Sequence, residues 1–246
     1  MGVSRGSMIN TDQLRLNVDA TVAARSGSSS IWQNLVNGSD NGTLNNNASF
    51  TGDSKGGFVS LDGTDDFIDF GDISWVDTTD LTLSFAARLT GGSYSNDQDF
   101  ITKGNHSSTR PLTVWYDIDA GSNPSVGTNN ERCLSVIVRG SDNDSRIWIA
   151  GPTDSIEGDK DFAIDIVIDT TNKRVHAYKD GELLMESAAN SDFVGIKATT
   201  ETVRLGIDQA GNKDMEGRFY YFRIYERCLT AAEIERNYNS VKGRFA

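Results

Sequence analysis

Leu81-Thr-Leu-Ser-Phe-Ala-Ala-Arg-Leu89 is the stretch that decides the architecture. It puts Leu81, Leu83, Phe85, Ala87 and Leu89 on one side, and Thr82, Ser84, Ala86 and Arg88 on the other. A strand produces that period of two and a helix does not. The same period recurs where Phe162, Ile164, Ile166 and Ile168 alternate with Ala163, Asp165, Val167 and Asp169. The stretches 112–118, 133–139, 146–150, 203–207 and 219–225 are rich in β-branched and aromatic residues and lie between turn signals, so they also read as strands. Between Arg174–Lys179 and Glu182–Glu186 stands Asp180-Gly181, a dipeptide that tolerates the positive φ of a two-residue turn. These two segments are therefore predicted to pair antiparallel. A single helix is predicted near the end: Thr230 and Glu233 have capping-box spacing, and Ile234 and Tyr238 share a face that would lie on the sandwich. Many short strands with one short C-terminal helix give an all-β fold, an antiparallel β-sandwich.

Composition sets the rest of the frame. At 246 residues the chain fits one large all-β domain or at most two small ones, and the unbroken run of strands after Gly57 favours one. Residues 1–30 read as a mostly polar N-terminal lead with one apolar patch (Leu14, Leu16, Val18), unneeded for closing the sandwich and available for attachment; residues 31–246 read as the sandwich. The stretch 31–57 is rich in Asn, Gly, Ser and Thr, which favour turns over helix. With 23 Lys+Arg against 35 Asp+Glu, the net charge of −12 argues against nucleic acid as a partner and against docking on anionic lipid. No apolar run approaches the ~18 residues of a membrane span. Met1–Ser7 lacks the apolar segment of a secretory signal. Cys133 and Cys228 form neither a disulfide framework nor a zinc site. His106 and His176 read as structural or exposed, since no Gly-x-Ser-x-Gly elbow surrounds a serine.

Phe58-Val-Ser-Leu-Asp-Gly-Thr-Asp-Asp-Phe-Ile-Asp-Phe70, then Leu81–Leu89, the Asp161–Ser187 hairpin, Gly217–Tyr225 and the helix begun by Glu226–Ile234 follow one another in a familiar order. The series resembles laminin-G-like domains of the concanavalin A-like lectin and glucanase superfamily. That resemblance implies a jelly-roll sandwich of two curved antiparallel sheets. Leu14–Ala20, Trp32, Asn41–Leu44 and the ending Asn237–Phe245 are similar to versions of this domain in tailed-phage virion proteins. A fold does not by itself assign an activity.

Several residue groups are candidates for chemistry. Asp62, Asp65 and Asp66 could offer oxygen ligands to calcium, but Gly63 among them reads as a tight turn. Resemblance to pentraxin-like members implies a different calcium set: Asn96, Asp97 and Asp99 at one place, Asp208 and Gln209 at the other, with Ala210 where a further acid is expected. The glucanase pattern of paired acids is approached at Glu157-Gly-Asp-Lys-Asp161, where Phe162 replaces the second glutamate, so glycoside hydrolysis is not expected. Aromatic rings can hold the apolar faces of sugars. Trp115 is out of phase with Leu112, Val114, Tyr116 and Ile118, and Trp148 lies between Ile147 and Ile149. Both are therefore candidate carbohydrate contacts, exposed if their neighbours face the core.

The function expected from this reading is a non-enzymatic phage virion surface protein, a capsid decoration or a tail or fibre component. It would be made in the host cytoplasm and would contact other virion proteins and host glycans. Unpaired sheet edges would allow homo-oligomers. The alternative is a carbohydrate-binding module, calcium-dependent through Asp97, Asp99, Asp208 and Gln209, with no tie to a virion.

Overall fold

The computed structural model describes residues 8–22, 30–53, 56–77, 80–90, 96–105, 109–119, 131–140 and 145–244. The first strands are β1 (Leu14–Asp19), β2 (Ile31–Trp32), β3 (Gly42–Asn45), β4 (Ser49–Thr51), β5 (Phe58–Asp62) and β6 (Phe67–Asp69). Longer ones follow: β7 (Leu81–Leu89), β8 (Gln98–Asn105), β9 (Thr109–Asp119), β10 (Glu131–Val138) and β11 (Ile147–Ala150). The chain continues through β12 (Asp161–Asp169), β13 (Arg174–Lys179), β14 (Glu182–Glu186), β15 (Val203–Leu205) and β16 (Glu216–Tyr225), then the helix Ala231–Val241. Every pairing is antiparallel, and the strands divide between two eight-stranded sheets. The first runs β14-β13-β12-β7-β16-β5-β4, with β1 also on β16; the second runs β11-β10-β9-β8-β15-β6-β3-β2. The expected antiparallel sandwich with one C-terminal helix is the observed fold.

Leu81, Leu83, Phe85, Ala87 and Leu89 do face the core. Phe85 meets Phe100 of the opposite sheet with ring centroids 5.5 Å apart, and Phe100 meets Phe162 at the same separation. Each such side chain, once removed from water, contributes about 1.5–3 kcal/mol. The opposite face of β7 is buried too, because the C-terminal helix and the segment before it lie across it. Thr82 Oγ1 donates to the Arg227 carbonyl at 2.9 Å and accepts from the Leu229 N–H at 2.9 Å. The capping box is formed: Thr230 Oγ1 accepts from Glu233 N–H, and Glu233 accepts from Thr230 N–H. Asp180 (φ +53) and Gly181 (φ +85) make the predicted tight hairpin turn, with Lys179 opposite Glu182.

The N-terminal lead needs correcting in part. Leu14–Asp19, set apart as unnecessary for closure, pairs with β16 from Leu14↔Tyr225 to Asp19↔Tyr221. Leu16, Val18 and Ala20 are fully buried. The patch is apolar because it is core. Residues 1–7 and 23–29, which hold most of the Ser-Gly run, lie outside the described residues, as does His106.

β8 is a strand that the sequence pattern does not announce. A bulge between Asp99 and Ile101 in its pairing with β9 turns both Phe100 and Ile101 inward and breaks the period of two. Lys103 on this strand is fully buried, 3.0 Å from Asp77 and 3.1 Å from Asp72. The pair ties β8 to the loop before β7. Among the described residues no helix is long and apolar enough to cross a membrane.

Candidate functional site

Each sheet ends in an edge strand on the same side of the sandwich, β14 in the first and β11 in the second. Between them opens a cleft of about 640 Å³, within the ~300–1,000 Å³ typical of small-ligand sites. One wall is β11 and its continuation, with Arg146, Trp148 and Pro152; the other is β14 and its continuation, with Leu184, Met185 and Asn190. A Cβ on Gly151 would lie 3.4 Å from Leu184, so the two walls touch at the base. Hydrogen bonds fix the rims. Asn190 Nδ2 donates to the Arg146 carbonyl at 3.1 Å, and Ser187 Oγ accepts from Val175 N–H at 3.0 Å.

Trp148 lies on the outer face of β11, partly exposed, between Ile147 and Ile149, which enter the core. Trp115 packs against it, centroids 6.1 Å apart and planes 37° apart. The expected exposure of Trp115 is corrected: it is 2% exposed. Its ring does point away from the core residues Leu112, Val114 and Tyr116, but the outer face it joins is itself covered. Thr113, Asp117, Cys133, Ser135 and Ile137 on that face are all buried. Ser135 Oγ donates to Asp117 at 2.8 Å there. Burial, and then Asp117, push the Cys133 thiol up to about 11, so it is a packing group and not a nucleophile. Cys228 is likewise free and pushed up to about 12, first by burial and then by Asp80 and Asp169.

Asp97, Asp208 and Gln209, expected as calcium ligands with Asp99, make other contacts in the structure. The Lys213 ammonium pairs with Asp97, whose other oxygen accepts from Ile118 N–H at 3.1 Å. Asp208 Oδ1 accepts from Ala210 N–H at 2.8 Å and Asn212 N–H at 2.9 Å, closing a turn. Gln209 Nε2 donates to Thr202. Asp99 is fully buried. The fold brings the two places together through Lys213, whose ammonium pairs with Asp97 and whose carbonyl accepts from Asp99 N–H at 2.9 Å.

Among the described residues, two groups of three do hold their ligand atoms within 4.8 Å of one another: Asp80, Asp169, Cys228 and Asp62, Asp65, Asp66. The second is the turn read from the sequence. Gly63 has φ +79, Asp62 Oδ1 accepts from Thr64 N–H at 2.9 Å, and Asp66 accepts from Asn47 N–H at 2.6 Å and Asp62 N–H at 3.0 Å. Glu157 pairs with Lys160, and Asp159 stands 3.8 Å from Arg88. His176 Nδ1 lies 3.4 Å from Glu186, on the strand behind the cleft wall.

The sequence matches the laminin-G-like family described as the concanavalin A-like lectin/glucanases superfamily over residues 62–235, more than half of the chain. The chain belongs to this superfamily. No curated protein sequence matches it. Solved structures share the superfamily fold at low identity. The binding domain of Paraclostridial Mosquitocidal Protein 1 is 16% identical with a TM-score of 0.66, covering 93% of this chain and 52% of that one. A Trypanosoma rangeli sialidase bound to the inhibitor DANA is 12% identical with a TM-score of 0.66, covering 97% and 34%. Domain 4 of the extracellular arabinanase AbnA from Geobacillus stearothermophilus, in complex with arabinotriose, is 16% identical with a TM-score of 0.61, covering 91% and 97%. The chain thus spans about half of the toxin binding domain and about a third of the sialidase. These likenesses establish the sandwich.

Of the cleft residues, sequence reasoning found Trp148 and missed Arg146, Leu184, Met185 and Asn190. A signal was present in Glu182-Leu-Leu-Met-Glu186, where three consecutive apolar residues break strand alternation on a short hairpin arm.

Proposed function

We propose that this domain is a non-enzymatic saccharide-recognition module, with the cleft between β11 and β14 as its site. The observation that carries the reading is Trp148. It is a partly exposed indole backed by a second, buried indole, on the wall of a cleft whose rim also offers Arg146, Glu186 and Asn190. A ring held by another ring loses little freedom when a sugar stacks on it, and the flanking polar groups suit hydroxyls. The neighbour solved with arabinotriose supports a sugar ligand on this fold. The engagement of Glu157 by Lys160, with Asp159 near Arg88, supports binding without hydrolysis.

Glycan-array screening followed by calorimetry tests the reading. Wild-type protein should bind a saccharide, and Trp148→Ala should weaken that binding at least tenfold, about 1.4 kcal/mol, while leaving the unfolding midpoint within a few degrees. Undiminished binding by the folded variant would refute the site. A chelator arm is expected to change nothing, since Asp97 and Asp208 are otherwise engaged.

The setting we propose is the surface of a phage virion, with other virion proteins as partners. Its support is the similarity of Leu14–Ala20, Trp32, Asn41–Leu44 and Asn237–Phe245 to phage versions of the domain. Co-sedimentation with particles is the expected result, and its absence would leave the module without that setting.

A further inference from the structure

The cleft is lined by Arg146, with Arg139 beside it, and no acid among the described residues pairs with either. Arg139 and Arg146 flank the turn from β10 to β11, one step beyond Val138 and Ile147, which face each other in the ladder. Like charges at facing positions of an antiparallel pair repel. The Arg139 guanidinium is held below its ordinary range, first by burial and then by Arg146. Among the described residues neither arginine has a carboxylate partner, in a chain whose acids outnumber its bases by 12. Among the described residues lining the cleft, Glu186 supplies the one carboxylate, and it is engaged from behind by Arg174 at 3.8 Å and His176 at 3.4 Å. Two further donors lack an acceptor: Arg139 Nε and Trp148 Nε1 are both buried atoms without a hydrogen-bond partner. Arg146 and Trp148 on the cleft wall, with the repelling Arg139 next to Arg146, all gain from the same thing, an oxyanion in the cleft.

Resting on the reading of this cleft as a saccharide site, we propose that its ligand is an anionic saccharide, with a carboxylate or sulfate group held by Arg146 and the sugar face on Trp148. A guanidinium presents a planar fork of donors that matches either oxyanion in bidentate fashion. Arg139 acts through its field, keeping the rim positive against the acidic remainder of the molecule, so it is a positioning residue. A neutral sugar would leave both arginines as they are and gain only from the indole.

Calorimetry on the full chain at low salt, with matched oligosaccharides of galacturonate, sulfated dextran and plain dextran, decides the matter. At least one anionic series should bind tenfold or more tightly than plain dextran, and which one does so identifies the group as carboxylate or sulfate. Arg146→Gln should reduce that series to the level of plain dextran, Arg146→Lys should restore part of the difference, and added salt should erode it. Arg139→Gln, further from the ligand, should weaken the anionic series less and leave plain dextran unchanged. Circular dichroism and thermal unfolding establish that each variant is folded. Equal binding of all three sugars, all lost in Trp148→Ala, would overturn the anionic assignment and leave the saccharide site standing. Full anionic binding by folded Arg146→Gln would also overturn the assignment. Binding of none of the three by wild-type protein would remove the assignment together with the reading beneath it.

Discussion

Glu233 shows how much one side chain does where the last strand hands over to the helix. It accepts from Arg227 Nη1 at 2.9 Å and Nη2 at 2.8 Å, and also from Thr230 N–H at 2.9 Å. The Arg227 bonds are the main reason its carboxyl is lowered to about 2. Because the folded state binds this proton less readily than the unfolded chain, the stabilisation is complete above the ordinary glutamate range. It is lost as pH falls toward about 2. The pair is partly solvated, so screening reduces its worth to about 1–2 kcal/mol. Glu233→Gln should therefore lower stability in urea by that amount at neutral pH, with the difference vanishing in strong acid. A constant difference across the whole range would mean that packing, not charge, is what Glu233 contributes. Thr230 and Glu233 were legible as a capping box because the signal is local, three residues long. Trp115 was half legible. Alternation gave its direction, but its burial depends on what covers the outer face of β9 and β10, which no local pattern reports.

Among the elements, β1 carries more than its length suggests. Its pairing with β16 buries Leu16 and Val18 completely and sets Asn17 Oδ1 to accept from Arg223 Nε at 3.1 Å. That contact opens a polar row across five strands: Asn17, Arg223, Ser84, Asp165 and Tyr178 stand opposite one another in register. Deleting residues 1–19 would expose the apolar flank of β16 and strip Arg223, 3% exposed, of that acceptor. The loss of several fully buried side chains at about 1.5–3 kcal/mol each rivals the whole stability of an ordinary domain, about 5–15 kcal/mol. The truncated chain is expected to show no cooperative unfolding transition by circular dichroism. A transition at the full-length midpoint would show β1 to be dispensable. Strands with unbroken alternation, β7 and β12, were legible almost to the residue. β8 was not, because its bulge places two apolar neighbours side by side. The cleft was illegible for a different reason: β11 and β14 become neighbours only when both sheets have closed, so nothing local to either strand announces it.

For the molecule as a whole, burial of acids sets the response to pH. Burial is the largest cause in each of Asp66, Asp77, Asp165, Asp180 and Asp214, all raised above the ordinary aspartate range, and Asp165 reaches about 6. A raised acid takes up its proton more readily folded than unfolded. Its contribution is then complete below the unfolded value and is lost as pH climbs through the folded one. Asp165 alone accounts for about 2–3 kcal/mol over that interval. The net charge of −12 adds self-repulsion in the same direction. Thermal unfolding should therefore occur at a higher temperature near roughly pH 5 than near roughly pH 7.5. An equal or lower midpoint at the acidic condition would contradict this distribution of buried charge.

The entry to β1, the exit from β16 and the C-terminal helix meet at one pole. Leu14 stands opposite Tyr225 where β16 finishes, and Asn10 is clasped by the C-terminal helix through Asn237 at 2.7 Å and Glu233 at 2.5 Å. A pull between the ends would break that clasp and the Arg244–Asp19 pair at the other end of β1 (2.9 Å), and then part β1 from β16 one rung at a time, like a zipper, without the simultaneous resistance of strands loaded in shear. Tension transmitted through the backbone would open the domain from this corner. An anchorage at the same corner leaves the body of the sandwich hanging free of the load.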